Sequence, residues 1–359
     1  MSDFITPTVH FDAKVKRGVQ PNLEIFEKRQ APGVSELAGK KASGAEPRPV
    51  APIMQAWSFP DVGALEKKLK VCEDYITPAC LQALYEIPAA TSNVQNNPLG
   101  IVEYTPEFYS QSDLDLFFSN FSSKQKQTTP DIEDIDNVNL GSTANPTFGS
   151  SGEANLDLEY AMSLVNPITV RLYQVGDTVE GASFNNFLDA IDASYCTYEG
   201  GDDPTEDGIY PDPYKGGYKG AENCGGFAAT KVVSTSYGYS SEHELTLAYQ
   251  QRQCNEYAKL GLAGTSFLYS SGDSGVAPCL NANGTAFTNG TSGRFAVGFP
   301  VNCPYVTAVG ATMLKPNTSV TAQNPEEVAY IEEGSGAYFT PGGGFSYVLL
   351  VMLRHKQLD

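Results

Sequence analysis

From residue 97 onward the chain alternates short apolar runs with longer stretches whose apolar positions recur every three or four residues. The runs at 99–104 (LGIVEY), 168–175, 231–237, 265–270 and 305–309 have the length and composition of strands. The stretches at 112–121, 153–164, 184–195 and 242–260 carry the helical period. A further helix over 76–85 opens at Thr77-Pro78, because proline at a first helical position sacrifices no hydrogen bond. Residues 122–150 read as polar loop and 197–222 as an acidic loop rich in Gly, Pro and Tyr. Strands alternating with helices build a parallel sheet covered on both faces, so the expected class is α/β with a doubly wound parallel sheet.

This pattern begins near residue 71. Residues 1–29 are polar and mixed, ending in the dibasic Lys28-Arg29, and 30–70 are rich in Ala, Gly, Pro and Lys. The first segment is separate from the domain, and the second reads as a linker or processing segment. No apolar core run marks a signal peptide in residues 1–20, and no stretch reaches transmembrane length.

Charge narrows the function classes. Lys and Arg number 23 against 42 Asp and Glu, a formal net charge of -19. Such a field repels nucleic-acid backbones and anionic lipid surfaces. It weakens as the pH falls toward the sequence pI near 4.5, which suits a protein working in acid and equally a merely soluble acidic one. Seven cysteines (Cys72, Cys80, Cys196, Cys224, Cys254, Cys279 and Cys303) contain no CxxC pair, so no zinc site is expected. With glycosylation sequons at Asn120, Asn283, Asn289 and Asn317, they favour an oxidising, secretory compartment. The odd count leaves one thiol without a partner.

Two motifs carry chemistry. Glu153 and Asp157 stand four apart in SGEANLDLEYAMSLV, which puts both carboxylates on one helix face, where they repel and tend to share a proton. Alone, such a pair is more often an acidic first turn on a solvated surface. Asp273 lies in SSGDSG after the apolar run SFLY, at the carboxyl end of a strand, where sites of parallel sheets gather. Alone, it is as much a turn residue as a catalytic carboxyl. The string GDSG also occurs in trypsin-like proteases. That alternative needs a preceding catalytic histidine and an all-β double barrel, whereas His10, His243 and His355 are the three histidines of an α/β pattern.

In order, ITPACLQALY, NPLGIVEY, GEANLDLEYAMSL, VVSTSYG, YQQRQCNEYAKLGLAG, FLYSSGDSGV, FPVNCPYVTAVGAT and PGGGFS resemble the sedolisin family of serine-carboxyl peptidases, especially its fungal tripeptidyl-peptidase-like members. The resemblance covers residues 72–346, and DFITPTVHF resembles the end of that family's propeptide. It implies a subtilisin-like fold, incomplete at the C-terminus, in a secreted, acid-active, monomeric peptidase made as a zymogen. The boundaries that follow are a propeptide remnant over 1–29, a linker over 30–70, a partial peptidase domain over 71–346 and a tail over 347–359. By the same resemblance Glu153 is the general base, Asp157 orients it, and protonated Asp273 donates to the developing oxyanion. Ser236, Tyr237 and Gly238 form the strand edge that pairs with bound peptide. The expected partners are peptide or protein substrates and the chain's own propeptide, with no nucleic acid or membrane. A carboxylate base with a pKa of roughly 4–5 keeps its basic form in acid where histidine would not.

The family's serine belongs to a Gly-Thr-Ser-Ala motif after the glycine-rich segment. Here GGGFS is followed by YVLLVMLRHKQLD, so the chain is expected to lack the nucleophile and to be inactive by itself. Ser266 in Gly264-Thr265-Ser266 is no substitute, because it precedes Asp273 and enters a strand. Calcium is expected for the full-length family member, with no ligand in this chain. Cys279 is the expected unpaired thiol. Exposed apolar surface is expected, and with it poor solubility or local disorder around 313–359. The alternative function is a peptide-binding pseudo-peptidase that does not cut.

Overall fold

The computed structural model describes residues 9–10, 69–88, 97–137, 147–198, 203, 205–276, 297–330 and 339–346. In chain order the elements are β1 (Val9–His10), α1 (Pro78–Leu84), β2 (Leu99–Tyr104), α2 (Gln111–Phe121), β3 (Asp131–Ile135), α3 (Phe148–Val165), β4 (Val170–Val175), α4 (Phe184–Ile191), α5 (Ala193–Tyr198), β5 (Val232–Thr235), β6 (Tyr237–Gly238), α6 (Leu247–Leu262), β7 (Ser266–Ser270), β8 (Thr307–Val309), β9 (Thr312–Leu314) and β10 (Glu326–Val328). Six strands form one parallel sheet in the order β3-β4-β2-β5-β7-β8. From β2 the chain moves out to β3 and β4, then returns to place β5 on the other side of β2. The neighbours β2 and β5 therefore connect in opposite directions, and a crevice opens at their carboxyl ends.

Period-two alternation divides the core between the two faces of the sheet. Ile101, Val170 and Leu172 meet Leu114 and Phe118 of α2 and Ala154, Leu158 and Met162 of α3. On the opposite face Val102, Tyr173, Val175, Val233, Phe267 and Tyr269 meet aromatic and aliphatic side chains of α4 and α6. Because Ile101 faces α3, the same alternation turns Glu103 toward that helix.

Several elements differ from the expectation. The loop over 122–150 contains β3, whose sequence DIEDI hides its two isoleucines among three acids. Arg171 on the neighbouring strand donates to Asp131 at 2.7 Å and lies 3.5 Å from Glu133, so the acids are paired across the ladder. Helix α3 begins five residues early, at Phe148, because the Thr147 N–H donates to Ser150 Oγ at 3.1 Å and caps it there. Glu153 thus lies in the second turn and does not have the first-turn dipole benefit. The expected helix over 184–195 breaks at extended Asp192 into α4 and α5. Disorder from 313 onward is corrected over 312–328, where β9 and β10 pair antiparallel. Leu314 and Val320 are buried there against the Cys72–Cys80 disulfide. All three residues of β8, at the edge of the sheet and before that range, are exposed.

Two more disulfides join Cys196 to Cys224 and Cys254 to Cys303. Cys279, Asn283, Asn289, Lys28-Arg29 and the tail over 347–359 lie outside the described residues. Among the described residues no helix is long and apolar enough to cross a membrane.

Candidate active site

The site is assembled where β2, β5 and β7 end. Helix α3 packs Ala154, Leu158 and Met162 onto the sheet. Glu153 and Asp157 each precede one of these residues, so they ride on the adjoining stripe and are carried inward with it. Ser236, directly after β5, donates its hydroxyl to both carboxylate oxygens of Asp157, at 2.7 and 3.0 Å. Glu153 is 4% exposed, and its Oε2 is buried without a hydrogen-bond partner among the described residues.

Burial dominates the electrostatics. It pushes Asp157 up to about 6, against the opposing pull of the Ser236 hydroxyl, which favours the charged form. Glu153 is pushed well above the usual carboxylate range, first by burial and then by Asp157, Glu103, Glu107 and Asp273. The pKa of roughly 4–5 expected for the base is therefore corrected upward. The physical reason is that Glu153 is desolvated and every charge shifting it is another carboxylate. The same influence of Asp273 brings the loop after β7 into the electrostatic surroundings of Glu153.

That loop is held by the glycine-rich segment. Thr340 donates its N–H to Asp273 O at 2.9 Å, and Gly342 donates to Gly272 O at 2.8 Å. Gly272 takes φ +91°, in the left-handed region, where the chain turns out of the strand. Gly342 approaches so closely that a Cβ there would lie 1.8 Å from Ser271 O. A small concavity beside Asp273 is lined by Gly238, Tyr239, Ser240, Gly298 and Phe299.

The three residues expected to form a peptide-binding edge behave differently from one another. Ser236 is engaged by Asp157. Tyr237 is buried and donates its hydroxyl to Glu103 Oε2 at 2.7 Å. The backbone of Tyr237–Gly238 pairs in parallel with Val9–His10, so an extended segment of the same chain lies along this edge. Ser266 is exposed at the opposite, amino end of β7, away from the carboxyl-end cluster.

Sequence reading missed Glu103 and Glu107. Glu103 is fully buried, and burial followed by the charge of Asp157 raises its pKa well above the ordinary value. Its signal was present in LGIVEY, where a carboxylate interrupts a strand that is otherwise apolar. Glu107 is 2% exposed and pushed up to about 7 by burial, while hydrogen bonds from the Ala154 and Glu153 backbone pull it down. Among the described residues no group of three or more His, Cys, Asp or Glu could hold a metal ion.

No family profile matches the chain. Individual proteins do. Aorsin from Aspergillus oryzae is 43% identical over 289 residues, covering 77% of this chain and 43% of aorsin. Tripeptidyl-peptidase SED1 from Arthroderma otae is 37% identical over 369 aligned positions, covering 97% and 53%. Tripeptidyl-peptidase sed1 from Aspergillus fumigatus is 39% identical over 333, covering 88% and 49%. The chain thus spans about half the length of the relatives it matches. Among solved structures, a Pseudomonas sedolisin (serine-carboxyl proteinase) complexed with pseudo-iodotyrostatin is 20% identical with a TM-score of 0.49, covering 76% of this chain and 63% of that one. With the eight ordered motifs and the carboxyl cluster already described, these alignments place the chain in the sedolisin family, among its fungal tripeptidyl-peptidase-like members.

Proposed function

We propose that this chain carries the acid–base half of a serine-carboxyl peptidase cleft, of the tripeptidyl-peptidase type, that hydrolyses peptide bonds in acid. The single observation that carries this reading is Glu153: buried, with an unpartnered Oε2 among the described residues, and acted on by Asp157 of its own helix and Asp273 of another element. Glu153 takes the proton of a serine hydroxyl as its oxygen attacks the peptide carbonyl, and later gives that proton to the leaving amine. Asp157 orients Glu153. Protonated Asp273 donates to the developing oxyanion.

The raised pKa of Glu153 fits once the nucleophile is included. A hydroxyl donated to its carboxylate favours the charged form, as the Ser236 hydroxyl does for Asp157. None of the described residues donates to Glu153 Oε2. Because the resemblance puts the nucleophile in a Gly-Thr-Ser-Ala motif that does not follow GGGFS here, this chain by itself is expected to release no tripeptides. The edge at Tyr237–Gly238 holds peptide main chain, and residues 1–29 are a propeptide remnant whose Val9–His10 lies along that edge. The protein is extracellular and monomeric.

The same pairing needs no nucleophile, and it is the observation that favours a second reading, a peptide-binding protein without turnover. Tripeptide release near pH 4 separates the two. The chain extended with the second half of a relative should cleave, and Glu153→Gln should abolish that cleavage. Retained cleavage in Glu153→Gln would sink the assignment of the base. Turnover by the unextended chain that survives Ser266→Ala but not Glu153→Gln would mean that the nucleophile lies elsewhere in it.

A further inference from the structure

We infer that Glu242 is a positioning residue for Asp273: its buried carboxyl group ties the far end of the glycine-rich segment to the two other stretches of chain that line the concavity beside Asp273. It rests on the reading of Asp273 as the oxyanion donor. Glu242 is fully buried and opens a single 3₁₀ turn, Glu242–Glu244, shortly after β6. Its main chain is pinned on both sides. The Glu242 N–H donates to Val297 O at 2.8 Å, and Gln250 of α6 donates its Nε2 to the Glu242 carbonyl at 2.6 Å. The carboxyl group then gathers two side chains on one oxygen. Asn302 donates its Nδ2 to Oε2 at 3.1 Å, and Ser346 donates its hydroxyl to the same oxygen at 2.5 Å. Asn302 also donates to Gln250 Oε1 at 3.0 Å, which holds it from α6.

The lining of the concavity shows what these contacts join. One stretch, from Gly238 to Ser240, leads directly into Glu242. A second, from Gly298 to Val301, lies between Val297 and Asn302, which both bond to Glu242. The third is Gly342, on the segment that ends at Ser346. Apart from the loop after β7 itself, every stretch lining the concavity is thus tied to Glu242. That loop is held in turn by Thr340 and Gly342, which donate to the main chain of Asp273 and Gly272.

The glycine-rich segment needs such an anchor. Its three consecutive glycines carry no side chains to pack and lose the most conformational freedom on ordering. Phe345, the next residue, is 88% exposed, so apolar burial does not fix it there. The Ser346 hydroxyl does. Burying an ionisable group is costly, whereas a satisfied buried network selects one arrangement of the backbone. Here the selected arrangement is the one that sets the loop carrying Asp273.

The test begins on this chain as it stands and needs no turnover. Hydrogen exchange follows the amides of Thr340 and Gly342, with the amides of β2 as reference. Ser346→Ala should speed exchange at both by about tenfold while β2 keeps its rates. Ser346→Thr, which keeps a hydroxyl, should restore protection. Glu242→Ala should also speed both, and adding Ser346→Ala to it should change nothing further, because the contact is already lost. In the protein extended with the second half of a relative, Ser346→Ala should lower kcat about tenfold and leave KM within about twofold, since Asp273 donates to charge that develops only in the transition state. Unchanged exchange at Thr340 and Gly342 in folded Ser346→Ala would overturn the inference, even if Glu242→Ala fails to fold. So would an equal speed-up in β2, the mark of a merely structural contact, or a raised KM at unchanged kcat. The oxyanion reading fails separately, if Asp273→Ala leaves kcat of the extended protein unchanged.

Discussion

The hydrogen bond between Ser236 and Asp157 should make a single hydroxyl visible in the pH dependence of stability. In Ser236→Ala the carboxylate of Asp157 loses a donor at 2.7 and 3.0 Å from its two oxygens and keeps its burial. A hydrogen bond to a charged group contributes about 1.5–3 kcal/mol, which corresponds to about 1–2 pH units. Asp157, already raised from 3.8 to about 6, should therefore titrate near about 7–8. The sign follows from linkage. A carboxyl whose folded pKa lies above its unfolded value favours folding at low pH, and that advantage is lost as pH rises through the folded pKa. In the variant the loss continues to higher pH. Near pH 4, where Asp157 is protonated in both proteins, the substitution should cost under about 1 kcal/mol. Near pH 8.5 it should cost about 1.5–3 kcal/mol. Urea unfolding at the two pH values measures this directly. Equal losses at both would refute the claim that the hydroxyl acts on a charged carboxylate.

Three further outcomes follow from the same cluster and its frame. Glu107, raised from 4.5 to about 7 while 2% exposed, favours folding by about 3 kcal/mol at pH 4 relative to pH 8. The urea midpoint should therefore fall between those values, and a midpoint that rises would contradict the shift. Tyr237→Phe keeps the ring but removes the donor at 2.7 Å from Glu103, so it should cost about 1–3 kcal/mol in equilibrium unfolding and raise the Glu103 midpoint. A neutral effect on both would mean that the hydroxyl is not engaged. Replacing Cys254 and Cys303 by Ala opens a closure of 49 residues in sequence and should cost about 4 kcal/mol, read from the same urea curves with the parent as reference.

The fold was legible where one period dominated. The run LGIVEY and the repeat of Ala154, Leu158 and Met162 each point one way, and β2 and α3 formed as expected. It was illegible where side-chain pairing replaced apolarity. Strand β3 is held partly by Arg171 across the ladder, a partner 40 residues away that local periodicity cannot register. The N-terminal boundary of α3 was missed because Ser150 caps Thr147 from within a segment that reads as loop. At the site, Glu153, Asp157 and Asp273 were legible as candidates from motifs. Their protonation was not, because a pKa depends on desolvation and neighbours from β2 and β7 that only the folded arrangement supplies. Glu107 gives no signal in sequence, since nothing in YTPEFY tells that its side chain is buried.

The convergence of carboxyls from α3 and from the loop after β7 is tested most directly by titrating Glu153 in Asp157→Asn and Asp273→Asn. Both variants should lower the Glu153 midpoint, Asp157→Asn by more, in keeping with the order of their influences. A Glu153 midpoint that ignores Asp273→Asn in a folded protein would contradict a shared cleft.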